Sequence, residues 1–252
     1  MPIIISVQNL VKTYGEFQAI DGISFDVQEG EVFGLLGPNG AGKTTTLEII
    51  ETLQRATSGS VHVDGINVAE HPAEVQSRIG IQLQSAGFYP GLSLIELLEM
   101  FGTMYSTKVD PKAMLKRFNL EEKAKVAYDK LSGGQKQRFS IATTLINKPR
   151  IIFLDEPTAG LDPQARVNLW DLIEEVKREG VTIVMTTHYM DEAEQLCDRL
   201  AIMDHGKIIQ SGTPAQLVDR LLEGGFKPHQ VVKPATLEDV FLNLTGRSLR
   251  ED

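Results

Sequence analysis

The chain has little of several features that mark particular classes of protein. Its 252 residues include a single cysteine, Cys197, which excludes an internal disulfide framework and favours a reducing compartment. We expect that side chain to be a small buried apolar residue. The 25 Lys and Arg residues are outnumbered by 34 Asp and Glu, for a net charge of -9. The chain lacks the basic surface that binds a nucleic-acid backbone, so we expect no nucleic-acid partner.

Long hydrophobic segments are also missing. The first residues lack the charged region and the cleavage site of a signal peptide. The most apolar longer stretch, residues 88–105, is interrupted by a proline, two glycines and two glutamates. It therefore cannot serve as a membrane-spanning helix, and we expect any association with a membrane to be peripheral.

What the sequence does contain is a complete phosphate-binding loop pattern, G-x-x-x-x-G-K-[ST]. An apolar run at 32–36 precedes it and is typical of a buried parallel strand, and residues 44–53 after it predict a helix. In this context glycines allow successive N–H groups to point at phosphate oxygens, Lys43 adds a positive charge, and Thr44 offers a hydroxyl to Mg²⁺. The predicted nucleotide-binding residues of the loop are Gly37, Pro38, Asn39, Gly40, Ala41, Gly42, Lys43, Thr44 and Thr45.

Two further apolar runs, at 151–154 and 181–185, predict buried strands that end in polar residues. The first ends at Asp155 and Glu156, and the second is followed by His188. Open α/β sheets bind ligands at the carboxyl ends of their strands, so we expect these side chains to lie close to the phosphate loop. A lone carboxylate or histidine has an ordinary structural explanation, but together with the loop they indicate a catalytic site.

The remaining pattern predicts three other regions. Strands are expected at 3–10, 20–27 and 60–68, the last with a hairpin turn at Asp64-Gly65. Helical spacing then covers 93–118, a final hairpin is predicted at 199–210, and residues 213–252 predict two or three short helices. We expect an ATP-binding domain at 1–215, with a helical subdomain at about 87–147, and a short C-terminal helical tail at 216–252.

The segment Leu131-Ser132-Gly133-Gly134-Gln135 adds a second anion-binding element. Ser132 can cap a helix whose first turn carries two glycines, so its N-terminal N–H groups stay open to a phosphate. With the phosphate loop and the acidic strand end, this segment makes residues 3–215 resemble the ATP-binding subunit of ABC transporters. The resemblance implies an α/β fold of the P-loop NTPase type, with a mixed core sheet, an antiparallel β-subdomain and a helical subdomain.

The resemblance also implies roles for individual residues. Asp155 matches the residue that holds Mg²⁺, Glu156 the carboxylate that polarises the attacking water, and His188 the switch histidine at the γ-phosphate. Tyr14 resembles the aromatic that stacks on adenine. Gln84, preferred over Gln82, resembles the glutamine that senses the γ-phosphate, contributes to the metal site and contacts the membrane partner. Ser132, Gly133, Gly134 and Gln135 match the segment that closes on the nucleotide of a second subunit.

The implied activity is Mg²⁺-dependent ATP hydrolysis in a dimer, formed with a second copy or a paralogous ATPase, at the cytoplasmic face of a membrane. An integral membrane permease is the implied partner, and Phe88, Tyr89, Pro90 and Leu92 are candidates for its contact. Residues 235–247 resemble the tail of drug-resistance and antibiotic-exporter ATPases, so an exporter of small amphipathic compounds is expected. A soluble ABC ATPase acting on ribosomes or nucleic acid, and an importer ATPase, are the alternatives.

Overall fold

The computed structural model describes residues 2–82 and 87–225. The contacts of the chain divide it into two units, Met1–Leu217 and Val218–Asp252, and the first contains all the described strands and helices except the end of the last helix. The first of the helices predicted over 213–252 is present as Pro214–Glu223, and residues 226–252, which include the 235–247 segment, lie outside the described residues. The division into an ATP-binding domain and a C-terminal tail remains a prediction.

Ten strands and eight α-helices, numbered in chain order, make up the described part of the chain. The strands are β1 (Ile3–Tyr14), β2 (Phe17–Gln28), β3 (Val32–Leu36), β4 (Ser58–Val63), β5 (Ile66–Asn67), β6 (Ile79–Gln82), β7 (Ile151–Asp155), β8 (Thr182–Thr187), β9 (Arg199–Asp204) and β10 (Lys207–Gly212). The helices are α1 (Lys43–Ile50), α2 (Pro72–Arg78), α3 (Leu94–Met104), α4 (Pro111–Arg117), α5 (Gly133–Thr144), α6 (Pro163–Arg178), α7 (Met190–Leu196) and α8 (Pro214–Glu223).

The strands form two sheets. An antiparallel sheet has the order β2-β1-β4-β5, and a six-stranded sheet has the order β10-β9-β3-β8-β7-β6. In the larger sheet only β10 runs antiparallel to its neighbour, while β9, β3, β8, β7 and β6 are mutually parallel. The carboxyl ends of β3, β7 and β8 therefore meet at one edge, which confirms the predicted mixed core sheet and antiparallel β-subdomain.

Both faces of the larger sheet are buried, because alternate residues of a strand point to opposite sides. On β7, Ile152 and Leu154 pack in one apolar cluster with the helices α3, α4, α5 and α6. Ile151 and Phe153 pack in the other cluster, with α1 and the antiparallel sheet. This two-sided burial explains why β7 is a continuous apolar run in the sequence.

Cys197 is buried, and burial raises the pKa of its thiol to about 12. A Cβ at Gly34 of β3 would lie 2.5 Å from Cys197 Sγ, so the glycine allows the end of α7 to pack closely on the sheet. The expectation of a small buried apolar residue is confirmed.

The helical segment starts with strong local signals. Ser93 accepts a hydrogen bond from the N–H of Glu96, whose carboxylate accepts one from Ser93 N, a capping box at the start of α3. Asp110 caps α4, and Pro111 occupies its first turn. The predicted helices are therefore present, as is the Asp64-Gly65 turn between β4 and β5.

The first strands are longer than expected. Strand β1 continues to Tyr14 because a bulge near Asn9 interrupts the alternation of apolar and polar residues without ending the strand. Asn9 has φ 47°, and its N–H donates to Ser24 Oγ at 2.8 Å. Gly22, with φ 68°, lies at an irregularity inside β2 rather than in a turn between strands.

In the ranges 2–82 and 87–225, no helix is long and apolar enough to cross a bilayer.

Candidate functional site

The phosphate loop lies between β3 and α1, as the sequence predicted. Gly42 occupies the N-cap position of α1 with φ 97°, a left-handed conformation that glycine adopts without a steric cost. A Cβ there would lie 2.6 Å from the carbonyl oxygen of Ala19. No side chain caps the helix, so the N–H groups of its first turn remain open to an anion.

Three charged or titratable side chains converge beside this loop. Lys43 is 5% exposed, and its Nζ donates to the carbonyl oxygens of Gly37 at 2.8 Å and Pro38 at 3.1 Å. Glu156 Oε1 lies 3.5 Å from Lys43 Nζ and 3.2 Å from His188 Nδ1. The distance between Glu156 and His188 is that of an ion-pair contact, although His188 Nδ1 makes no hydrogen bond within the described ranges. A carboxylate thus lies between the loop lysine and the histidine.

Glu156 has an unusual backbone conformation. Its φ is 46°, in the left-handed region that residues other than glycine seldom adopt. The conformation is held by its N–H, which donates to Thr186 Oγ1 at 3.0 Å, and by its carbonyl oxygen, which accepts from Ala159 N at 3.1 Å. Such strain clusters at functional sites, and here the strained residue is the one that contacts both Lys43 and His188.

Asp155 and Thr44 form an oxygen pair in the same place. Thr44 Oγ1 lies 3.2 Å from each carboxylate oxygen of Asp155, and Thr186 Oγ1 donates to Asp155 Oδ1. A hydroxyl and a carboxylate fit Mg²⁺, which prefers oxygen ligands and usually keeps several waters and phosphate oxygens. No cluster of three His, Cys, Asp or Glu side chains suited to a metal is present in the described ranges. The protein part of a metal site here would thus be small.

A cavity of about 400 Å³ opens next to the loop, lined by residues of the hairpin between β1 and β2 and by the start of α1. Two aromatic side chains line it, Tyr14 at 45% exposure and Phe17 at 64%. The Tyr14 hydroxyl donates to Gln54 Oε1, and Lys12 Nζ lies 4.8 Å from the centre of the Tyr14 ring. The cavity joins aromatic rings to the phosphate loop, as a nucleotide with a base and a phosphate chain requires.

The 131–135 segment lines a different cavity, of about 350 Å³, which shares no residue with the first. Ser132 and Gln135 form a capping box at the start of α5, so the Gln135 side-chain oxygen accepts from Ser132 N at 3.0 Å. Packing also favours glycine at position 134, because a Cβ there would lie 3.2 Å from Ala165 Cβ on α6. The sequence did not reveal this contact. The two helix N-termini that were predicted to bind anions therefore line separate cavities.

The structure brings Lys43, Thr44, Asp155, Glu156 and His188 together and leaves other predicted residues elsewhere. Ser132 and the residues after it are in the second cavity. Gln84 lies outside the described residues, and the alternative, Gln82, is buried at the end of β6.

The four candidates for a permease contact divide into two pairs. Phe88 packs against the rings of Tyr128 and Phe139, with centroids 4.3 Å and 5.3 Å away, and Leu92 joins the same apolar cluster. Tyr89 is 65% exposed, and Pro90 is exposed as well. Packing thus accounts for Phe88 and Leu92, and the exposed pair remains available.

Sequence reasoning missed two residues of the site. Phe17 follows Tyr14 across a tight turn, and its exposed position at the tip of a hairpin was the available signal. Thr186 joins Asp155 to the backbone of Glu156, but a threonine inside an apolar strand gives no local signal of that contact.

A phosphate loop, an acidic strand end and a histidine at one edge of a parallel sheet define a phosphate-loop nucleotide hydrolase. The family model for ABC transporters matches residues 20–159. Nod factor export ATP-binding protein I of Ralstonia nicotianae is 34% identical, over 98% of this chain and 95% of its own length. The linearmycin resistance ATP-binding protein LnrL of Bacillus subtilis is 39% identical, over 86% of this chain and 71% of its own length. The chain therefore belongs to the ABC transporter family, as an ATP-hydrolysing, ATP-binding cassette.

Solved structures agree with this placement. An ATP-binding cassette solved as a dimer in a post-hydrolysis state, bound to ADP and Pi, has a TM-score of 0.75 and 29% identity, covering 83% of this chain and 98% of its own. A cassette that is part of an ABC transporter complex in Clostridium perfringens has a TM-score of 0.77 and 28% identity, covering 87% of this chain and 92% of its own. The resemblance predicted from the sequence motifs is confirmed.

Proposed function

We propose that this chain is the ATPase subunit of an exporter and transmits the energy of ATP-driven dimer closure to a separate membrane permease. The observation that carries the proposal is the cluster of Lys43, Glu156 and His188 beside the Thr44–Asp155 oxygen pair. The exporter role is supported by two relatives, whose names refer to Nod factor export and to linearmycin resistance. Small amphipathic compounds such as drugs or antibiotics are the proposed class of cargo.

In this proposal residues 37–45 hold the phosphates of ATP, through their backbone N–H groups and the Lys43 ammonium. Tyr14 stacks on the adenine, with Phe17 on the same cavity wall. Thr44, Asp155 and Gln84 hold Mg²⁺, which neutralises charge on the phosphate oxygens when it is bound. Lys43 and Asp155 are buried, and charge interactions are stronger at buried positions than in water.

Glu156 acts as the general base in this proposal. Its carboxylate accepts a hydrogen bond from the attacking water, and polarises it toward the γ-phosphate. His188 contacts the γ-phosphate and, being 3.2 Å from Glu156 Oε1, also orients the carboxylate. The left-handed backbone at Glu156 fixes this orientation before nucleotide enters.

The second anion-binding helix start belongs to another subunit's nucleotide. Because the two cavities share no lining residue, one chain supplies one half of each of two nucleotide sites. A second copy, or a paralogous ATPase, placed head to tail brings Ser132 and Gly133 of one chain to the γ-phosphate held by the other. Closure of the dimer then depends on ATP, and the free energy of closure is available to a partner protein.

The proposed partner is an integral membrane permease, which would place the chain at the cytoplasmic face of the membrane. Tyr89 and Pro90 are the proposed contact, since they are exposed directly after the Gln84 segment. An exposed aromatic beside a proline is a suitable anchor for an inserted helix, because aromatic side chains contribute strongly to interfaces.

The experiment is to purify the tagged chain from its own membranes in mild detergent and identify the proteins recovered with it. We expect a multi-spanning protein in equal amount, and we expect Tyr89→Asp to lose it without changing ATP binding. Met104→Asp, at a 70% exposed site on α3, is the matched control. Recovery only in the soluble fraction or with ribosomes would contradict the proposal in favour of the soluble alternative.

A further inference from the structure

Glu192 is a buried carboxyl group outside the cluster that holds and hydrolyses ATP. It lies in the first turn of α7 and is 0% exposed. Its Oε1 accepts a hydrogen bond from Trp170 Nε1 on α6 at 3.3 Å. Burial raises the pKa of the Glu192 carboxyl, and the hydrogen bonds from nearby hydroxyls and the indole only partly oppose this. Since a buried carboxyl is costly without partners, its position needs an explanation.

Two of the residues around Glu192 border the loops that carry His188 and Asp162. The hydroxyls of Thr187 and Thr158 face it. Thr187 directly precedes His188. Thr158 is the first residue of the 158–162 loop, whose last residue, Asp162, caps α6. Neither Glu192 Oε2 nor Thr158 Oγ1 completes a hydrogen bond of full geometry within the described ranges, so the carboxyl faces both loops while one of its oxygens is still unsatisfied.

A second set of contacts joins the same elements on the outer side. The Arg166 guanidinium of α6 lies 4.5 Å from the centre of the Tyr189 ring and pairs with Asp191 at 3.1 Å. The Tyr189 ring in turn packs on the His188 ring, with centroids 4.1 Å apart. Helix α6 and the segment around the start of α7 are therefore connected at Trp170 and at Arg166.

We propose that Glu192 is a positioning residue that holds the His188 loop and the 158–162 loop together, so that both move as one unit on α6 and α7. The 160–162 part of the second loop lines the same cavity as Ser132. Closure of that cavity on a second subunit would then be transmitted through Glu192 to His188 and from there to Glu156. The inference rests on the proposed role of His188 and identifies what orients it.

The test measures steady-state ATP hydrolysis and ATP binding for Glu192→Ala, Glu192→Gln and the control Glu194→Ala, an exposed residue of the same helix. Glu192→Ala should lower kcat about tenfold or more through misplacement of His188, while the Kd for ATP, set by the phosphate loop, stays unchanged. Glu192→Gln should retain most activity, because its amide oxygen still accepts from Trp170. Trp170→Phe, which removes the indole N–H and reduces the size of the ring, should also lower kcat, and it covers the case in which Glu192→Ala does not fold.

A double-mutant cycle with His188→Ala separates positioning from a general structural role. If Glu192 acts through His188, Glu192→Ala should have little further effect on the residual rate of His188→Ala. Multiplicative losses in the cycle, or a parallel loss of ATP binding and thermal stability in Glu192→Ala, would overturn the inference and leave the proposed function intact. Normal hydrolysis by His188→Ala itself would instead contradict the proposed function.

Discussion

Glu156 contacts both polar partners of the proposed γ-phosphate position, the Lys43 ammonium and the His188 ring. A carboxylate held between two potential cations has two functions. It can accept a proton from water, and before nucleotide enters it compensates the charge of a buried lysine. The backbone at Glu156 is in the left-handed region, so the residue holds its position at a conformational cost.

Replacing Glu156 by glutamine tests the first function. The amide has nearly the same shape but accepts a proton poorly, so we expect kcat to fall about 100-fold or more, as for loss of a general base, while ATP still binds. The measurement is phosphate release together with nucleotide binding. Glu175→Gln, an exposed change on α6, is the control. Turnover by Glu156→Gln at the rate of that control would show that Glu156 is not the base.

At the scale of elements, the two ends of helix α1 lie in different environments. Its N-terminus is uncapped and open to phosphate, while its C-cap residue, Glu51, is 2% exposed. Burial, followed by the nearby Asp155 and Glu48 carboxylates, raises the pKa of Glu51 to about 8. A carboxylate at a helix C-terminus is also unfavourable to the helix dipole, so we expect Glu51 to be protonated at neutral pH.

This pKa shift predicts how stability depends on pH. Because the folded chain binds the Glu51 proton more tightly than the unfolded chain, the free energy of unfolding should fall as pH rises from the ordinary glutamate pKa to about 8. Glu51→Gln removes that proton uptake, so its stability should fall less over this range, and its gain over the parent should be larger at pH 8 than at pH 5. Denaturant titrations of the nucleotide-free protein at both pH values measure it. Equal pH dependence in the two proteins would show that Glu51 titrates normally.

The elements also show what the sequence can and cannot predict. Strands β3, β7 and β8 were predictable because burial on both faces makes them continuous apolar runs, and α3, α4 and α5 because caps mark their starts. The short helices α2 and α7 were not, since seven residues each give too little periodicity. Asp155, Glu156 and His188 could be placed near the loop from strand ends alone. The contacts of Thr186 and Glu192 depend on tertiary packing, which no local pattern records.

At the scale of the whole molecule, a single copy of the chain is an incomplete catalyst under the proposed mechanism. The phosphate loop and the 131–135 segment line separate cavities, and each is a helix N-terminus suited to phosphate. A molecule with two such halves can complete them only by association. The cavity at the 132–135 segment is lined by glycine, serine, glutamine and other polar residues, which is consistent with an interface that forms with nucleotide and separates without it.

The most direct test of the two composite sites is the oligomeric state of the Glu156→Gln protein on a sizing column, with and without Mg²⁺-ATP. We predict a dimer that appears only with nucleotide, because binding is retained and hydrolysis is blocked. Adding Ser132→Arg should abolish the dimer while each chain still binds ATP, since the larger cation occupies the place of the partner's γ-phosphate. Met104→Arg, an exposed change in the same helical region, should leave it intact. A nucleotide-dependent dimer that persists with Ser132→Arg would contradict the composite sites and, with them, the proposed coupling of ATP to dimer closure.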